Sequence, residues 1–169
     1  MAQGVVVLFD DQADADVRAL WARLGKAGLP SARKFPPHLT LAMATDIPKK
    51  TRAALRAELG LLSIPSIWLA ALSTFSASEN VLMLAAVTDA ELLAVHSAVH
   101  DVLAGKVRNP SAYYLPGSWM PHCTLLQGVS DAEIVTAFGA VFPVPEIRAR
   151  ARQIAVLDTA TMEIDPLTP

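Results

Sequence analysis

A chain of 169 residues, 53% of them hydrophobic, is long enough for one domain with a sizeable core and too apolar to stay disordered. Its formal net charge of −2 excludes the broad basic surface of a general nucleic-acid coat protein, and its single cysteine, Cys123, excludes an intrachain disulfide and fits a reducing compartment. The first apolar run has no basic segment before it and is too short for a signal peptide or a membrane span, so the expectation is a cytoplasmic, monomeric protein with no membrane partner.

In chain order, Val5 to Phe9 is a short β-branched apolar run and predicts a buried strand. Val17, Leu20, Trp21 and Leu24 follow at helical spacing, with Asp14 and Asp16 near the helix start and Gly28 and Pro30 closing it. Arg33-Lys34-Phe35-Pro36-Pro37 is extended, because residues before proline avoid the α region. His38 to Ala44 alternates, with His38, Thr40 and Ala42 on one face and Leu39, Leu41 and Met43 on the other. Pro48 opens a second helix carrying Leu55, Leu59 and Leu62, and Ile67 to Phe75 reads as a strand.

The pattern then restarts. A turn over Ser76–Asn80 leads to a strand over Val81–Val87, and Thr88 with Glu91 suggests a capping box for a helix bearing Leu92, Val95, Val99 and Leu103. An irregular segment from Gly105 to Ser118 contains Tyr113 and Tyr114. A second alternating strand follows, with His122 and Thr124 on one face and Cys123 and Leu125 on the other. Ser130 with Glu133 caps a helix with Ile134, Ala137, Phe138 and Val141, ended by Pro143 and Pro145. Ile147 to Leu157 is the last strand, and residues 159–169 read as a tail. The expectation is one α+β domain over residues 1–169. It comprises two β-α-β-α-β repeats, about 1–76 and 77–158, packed with approximate two-fold symmetry around a groove.

Phe35-Pro36-Pro37-His38-Leu39-Thr40-Leu41 is echoed by Trp119-Met120-Pro121-His122-Cys123-Thr124-Leu125, and the histidines and threonines of the two copies are each 84 residues apart (122 − 38, 124 − 40). Strand alternation puts each His and its Thr on one face, about 7 Å apart. Two such strands across a groove present two imidazoles, titrating near neutrality, and two hydroxyls to one ligand. One imidazole can act as base and the other as acid while the hydroxyls hold phosphoryl oxygens, which is sufficient to open a phosphodiester without a metal.

These paired His-x-Thr strands, with the central restart, resemble the 2H phosphoesterase superfamily, which includes 2′-5′ RNA ligase-like proteins and RNA 2′,3′-cyclic phosphodiesterases. The resemblance implies a bilobal fold with two antiparallel sheets flanking a cleft and helices outside, no cofactor, and metal-free hydrolysis of a 2′,3′-cyclic phosphate. His38 and His122 match the catalytic positions, and Thr40 and Thr124 match the phosphate-binding ones. The ligand so implied is a small nucleotide or an RNA terminus bearing a cyclic phosphate. A non-catalytic nucleotide or RNA-end binding module and a 2′-5′ RNA ligase are the alternatives.

Around the motifs, Arg33 and Lys34 are candidates for phosphate contact, and Phe35, Tyr113, Tyr114 and Trp119 for contact with a base. Core packing competes for Phe35 and Trp119. Arg148, Arg150 and Arg152 alternate, and a solvated outer face is the commoner outcome for such a row. His96 and His100 have the i, i+4 spacing of metal ligands but no evident third ligand, and Cys123 opposes His122 and is expected to be a buried small hydrophobe.

Overall fold

The six residues Gly4–Phe9 of strand β1 (Gln3–Phe9) are buried, so β1 must lie inside a sheet with both faces covered. In the computed structural model, which describes residues 2–75 and 79–169, it does. After β1 come α1 (Asp11–Lys26), β2 (His38–Ala44), α2 (Lys49–Leu59), β3 (Ile67–Thr74), β4 (Val81–Ala86), α3 (Ala90–Leu103), a 3-10 turn over Ala112–Tyr114, β5 (His122–Gln127), α4 (Asp131–Val141), β6 (Ile147–Ala149), β7 (Ala151–Asp158) and β8 (Ile164–Pro166). The strands form two antiparallel four-stranded sheets, ordered β2-β1-β7-β8 and β5-β4-β3-β6. The fold is therefore α+β and bilobal, as expected. The turn read at Ser76–Asn80 falls largely on residues 76–78, outside the described residues.

Helix boundaries follow local chemistry. The Asp10 side chain accepts from the Ala13 N–H and starts α1 earlier than Asp14. The N–H of Leu29 bonds to Leu24 O and that of Gly28 to Gly25 O, with Gly28 at φ 76°; this double closure ends α1 as the glycine implied. Ser130 and Glu133 form the expected capping box of α4. The start of α3 departs from expectation: Asp89, not Thr88, accepts from Leu92 N, since the carboxylate at the next position is the stronger acceptor at a helix N-terminus.

Sheet membership crosses the sequence division near residue 76. β3 pairs with β4, its successor, and so joins the sheet of the second motif; β7 pairs with β1 and joins the sheet of the first. The single strand expected over Ile147–Leu157 is two strands, because the chain changes sheets at Arg150. There Asp10 N donates to Arg150 O at 2.9 Å and Arg150 N donates to the Asp10 carboxylate at 3.1 Å. This switch also breaks the row of arginines: Arg148 pairs with Glu146 and lies over Trp68, while Arg152 approaches Asp11. The expected tail contains β8, which pairs with β7 and is held by Arg52 and Arg56 on Asp165, with Leu167 buried behind it.

On one face of the first sheet, Val5, Val7 and Phe9 join the main core under the helices. On the other, Val6, Leu8, Ala155 and Leu157 form a small second cluster covered by Phe35, which puts an apolar floor beneath the first motif.

Candidate active site

β2 and β5 are the edge strands of their sheets and lie next to each other without pairing. Their unpaired backbone groups are taken up by other elements. Trp119 Nε1 donates to Thr40 O at 3.0 Å, Ala32 N to Leu125 O at 3.0 Å and Ser111 N to Met43 O at 2.8 Å. The two motif strands can thus face one groove without fusing into a continuous sheet.

That groove, of about 390 Å³, is lined by His38, Thr40, His122 and Thr124 together, with Lys34, Phe35 and Tyr114 around them. A second compartment of about 350 Å³ shares His122, Thr124, Tyr114 and Gln127 with it and extends toward Phe75, Tyr113 and Met120. A larger, open hollow of about 840 Å³ beyond Gln127 is bordered by Glu79 and Asp131 and contains neither imidazole.

The prolines of the motifs prepare the histidines. Pro36 and Met120 each precede a proline and are restricted to extended backbone, which aims their carbonyls back at the following imidazole. His38 Nδ1 lies 2.7 Å from Pro36 O, and His122 Nδ1 lies 2.7 Å from Met120 O. A carbonyl only accepts, so each neutral ring donates from Nδ1 and carries its lone pair on Nε2. Phe35 and Phe75 stand edge-on to His38 and His122, at centroid distances of 6.4 and 5.7 Å.

Burial holds both imidazoles below their ordinary value of 6.5, and the carbonyl bonds oppose this by favouring the charged ring. His38 is lowered further by the neighbouring charge of His122. Burial and the charge of Glu79 raise the Tyr114 phenol above its usual range, and the nearby Thr40 hydroxyl opposes them. Tyr114 is therefore protonated, and it lines the groove with Thr40. Burial pushes the Cys123 thiol up to about 12, so it is an inert core side chain.

The groove also holds a residue the alternation missed. Val5 pairs with Ala42 and Val6 with Thr40, so Leu41 is an extra residue in β2; Leu82 pairs with Leu126 and Met83 with Thr124, so Leu125 is the extra residue in β5. The bulges are again 84 residues apart (125 − 41). After each bulge the faces exchange: Ala42 and Leu126 are buried, while Met43 and Gln127 line the groove. Met43 therefore leaves the face shared with Leu39 and Leu41, and Gln127 becomes a groove residue. The adjacent apolar pairs Leu41-Ala42 and Leu125-Leu126, which strict alternation does not allow on a half-buried strand, were the signal.

Other candidates are placed elsewhere. The Arg33 guanidinium donates to Trp21 O at 3.0 Å, at the end of α1 and not in the groove. Trp119 does not line the groove; its ring stacks on His96 at 3.9 Å with an interplanar angle of 5°. His96 and His100 are each turned to a carbonyl, Nε2 of His96 to Tyr114 O at 2.8 Å and Nε2 of His100 to Leu41 O at 3.1 Å. Those nitrogens are engaged and are not presented to a common metal. Tyr113 is 67% exposed at the groove mouth, whereas Tyr114 is half-buried inside it.

No helix among the described residues is long and apolar enough to cross a membrane. A search of curated proteins found no match. The family model described as 2′-5′ RNA ligase superfamily matches residues 9–162. That span takes in both His-x-Thr strands and almost every element that positions them, and the chain accordingly belongs to the 2′-5′ RNA ligase superfamily, the 2H phosphoesterases.

Proposed function

We propose that the protein is a metal-independent phosphodiesterase that hydrolyses a 2′,3′-cyclic phosphate, or a similar cyclic nucleotide phosphate, on a small nucleotide. The observation that carries this reading is the matched state of the imidazoles: two rings in one groove, each with Nδ1 tied to a carbonyl and Nε2 free to exchange a proton. Water attacks phosphorus as one Nε2 removes its proton. The P–O bond to a ribose oxygen breaks, and that oxygen takes the proton carried by the other Nε2. His38 takes the base role, because burial and its neighbour's charge both disfavour its protonated form and keep its Nε2 lone pair free; His122 is then the acid. Thr40 and Thr124 each offer a hydroxyl proton to a phosphoryl oxygen, and the protonated Tyr114 phenol stands in the same groove.

Cation content supports a small ligand. Lys34 is the one lysine or arginine among the described residues lining the two compartments, and Glu79 lies in the second, which disfavours a trail of phosphates beyond the reacting one. The end formed by Phe75, Tyr113 and Met120 suits an uncharged planar group such as a nucleobase. This favours hydrolysis of a small nucleotide over joining of long RNA ends.

The test is a panel of 2′,3′-cyclic mononucleotides and short RNAs ending in a cyclic phosphate, assayed in EDTA. Turnover is expected with the mononucleotides, and loss of at least 100-fold in kcat for His38→Ala and for His122→Ala. An acyclic 4-nitrophenyl phosphodiester, whose leaving group needs no acid, is expected to restore turnover to His122→Ala but not to His38→Ala. Full activity in either alanine variant across the panel refutes the mechanism. Saturable nucleotide binding without turnover of any substrate identifies a binding module instead.

A further inference from the structure

The deepest polar cluster outside the groove belongs to three side chains that the catalytic reading leaves unused. His96 and His100 lie on α3 and Trp119 just before β5, all in the second half of the chain. His96 is buried, stacked flat on Trp119 and in contact with His100 at 4.4 Å between ring centroids. Each ring ends on a different main-chain carbonyl: Trp119 on Thr40, His100 on Leu41 and His96 on Tyr114. Two of these carbonyls belong to residues whose side chains enter the groove, and the third to the bulge that turns Met43 into it.

The placement matters because β2 and β5 share no backbone pairing. Nothing in either sheet fixes how far His38 stands from His122 or how Thr40 faces Thr124. The cluster crosses that gap, tying α3 and the approach to β5 to the edge of β2. The position equivalent to Trp119 in the first motif is Phe35, which covers the Val6–Leu157 cluster and makes no such tie. The duplication is therefore asymmetric where the two halves meet.

We infer that His96, His100 and Trp119 are positioning residues that hold the first motif strand and Tyr114 in register with the second, setting the geometry of the two imidazoles and of Thr40 without touching substrate. The inference rests on the proposed reading of these groups as the active site. Side chains locked by packing and hydrogen bonds around a site are what keep it within the narrow geometry catalysis needs.

Three variants test it in the full chain. Trp119→Phe removes the N–H to Thr40 O and keeps a stacking ring. His100→Leu removes the donor to Leu41 O, and His100→Gln keeps one. Val99→Ala, buried on the same helix, opens a cavity and removes none of the three donors to those carbonyls. Trp119→Phe and His100→Leu are expected to lower kcat roughly 10- to 100-fold with KM changed less than about threefold, and to move the NMR ring resonances of His38. His100→Gln is expected to recover most of the loss, and Val99→Ala to lower Tm with kcat and those resonances unchanged. Folded Trp119→Phe and His100→Leu proteins with wild-type His38 resonances overturn the inference, as does a Val99→Ala protein that loses kcat equally. If the wild type turns over no cyclic phosphate, the functional reading fails and the resonances alone decide the positioning role.

Discussion

His38 and His122 each follow a proline directly, and each donates Nδ1–H to the carbonyl of the residue before that proline. One short stretch of sequence thus supplies the groove imidazole, its tautomer and its orientation. Because burial holds both rings below 6.5, the pH profile of kcat/KM is expected to be a bell lying on the acid side of that value, one limb from protonation of the base and the other from loss of the acid's proton. The anionic phosphate favours the imidazolium, so the bell for kcat is expected at higher pH than that for kcat/KM. A kcat/KM maximum above 7.5 would contradict the lowered values. At Thr124, a Ser variant retains the hydroxyl and is expected to keep most activity, whereas Thr124→Ala loses about 10²-fold in kcat. Cys123, with its thiol pushed up to about 12, is expected to resist alkylation at pH 8 in the native protein and to label readily once unfolded. The His and Thr positions were legible because both the chemistry and the spacing repeat. Arg33 and Trp119 were misplaced because sequence neighbours of a motif are not groove neighbours once side chains as long as these choose between backbone partners.

At the scale of the elements, two bulges on two edge strands shape the groove. The bulges at Leu41 and Leu125 carry the β-strand period past the motif and reverse it, which brings Met43 and Gln127 in. Gln127→Ala is expected to raise KM by several-fold with a smaller effect on kcat, since Gln127 lines both compartments and carries no titratable proton. β8 completes the first sheet at the end far from the groove. Removing residues 164–169 takes away its pairing with β7, the Arg52 and Arg56 contacts with Asp165, and buried Leu167. A loss of roughly 2–5 kcal/mol is expected from the Leu167 side chain alone, read as a lower Tm or denaturant midpoint. Helices, the α4 capping box and the main strands were legible from periodicity and capping chemistry. The division of 147–157 into β6 and β7 was not, because an uninterrupted strand-like sequence carries no mark of where it changes partners.

For the molecule as a whole, the two halves are interlocked by β3 and β7, each of which completes the sheet containing the other half's motif strand. Residues 1–76 alone would leave β1 without β7 and β3 without β4, exposing long apolar edges, so this fragment is expected to lack a cooperative thermal transition. Stability also depends on pH through the buried rings. His38, His96 and His122 are all held below 6.5, near which imidazole titrates in the unfolded chain. Between the lowered folded values and 6.5 the unfolded chain binds more protons, so the stability these neutral rings permit is present above 6.5 and is lost as pH falls through that window. Tm is expected to drop between pH 7 and pH 5, and His96→Gln to flatten that slope. The sequence by itself determined the α+β composition, the duplication and the two His-x-Thr pairs that meet in the groove, because hydrophobic period, capping chemistry and the repeated motif are local. Only the tertiary structure decided which strand completes which sheet, that Gln127 and Tyr114 share the groove, and that His96, His100 and Trp119 turn to the carbonyls of Tyr114, Leu41 and Thr40. Those outcomes depend on which distant backbone groups remain unpaired at two sheet edges, and that is settled when the sheets pack.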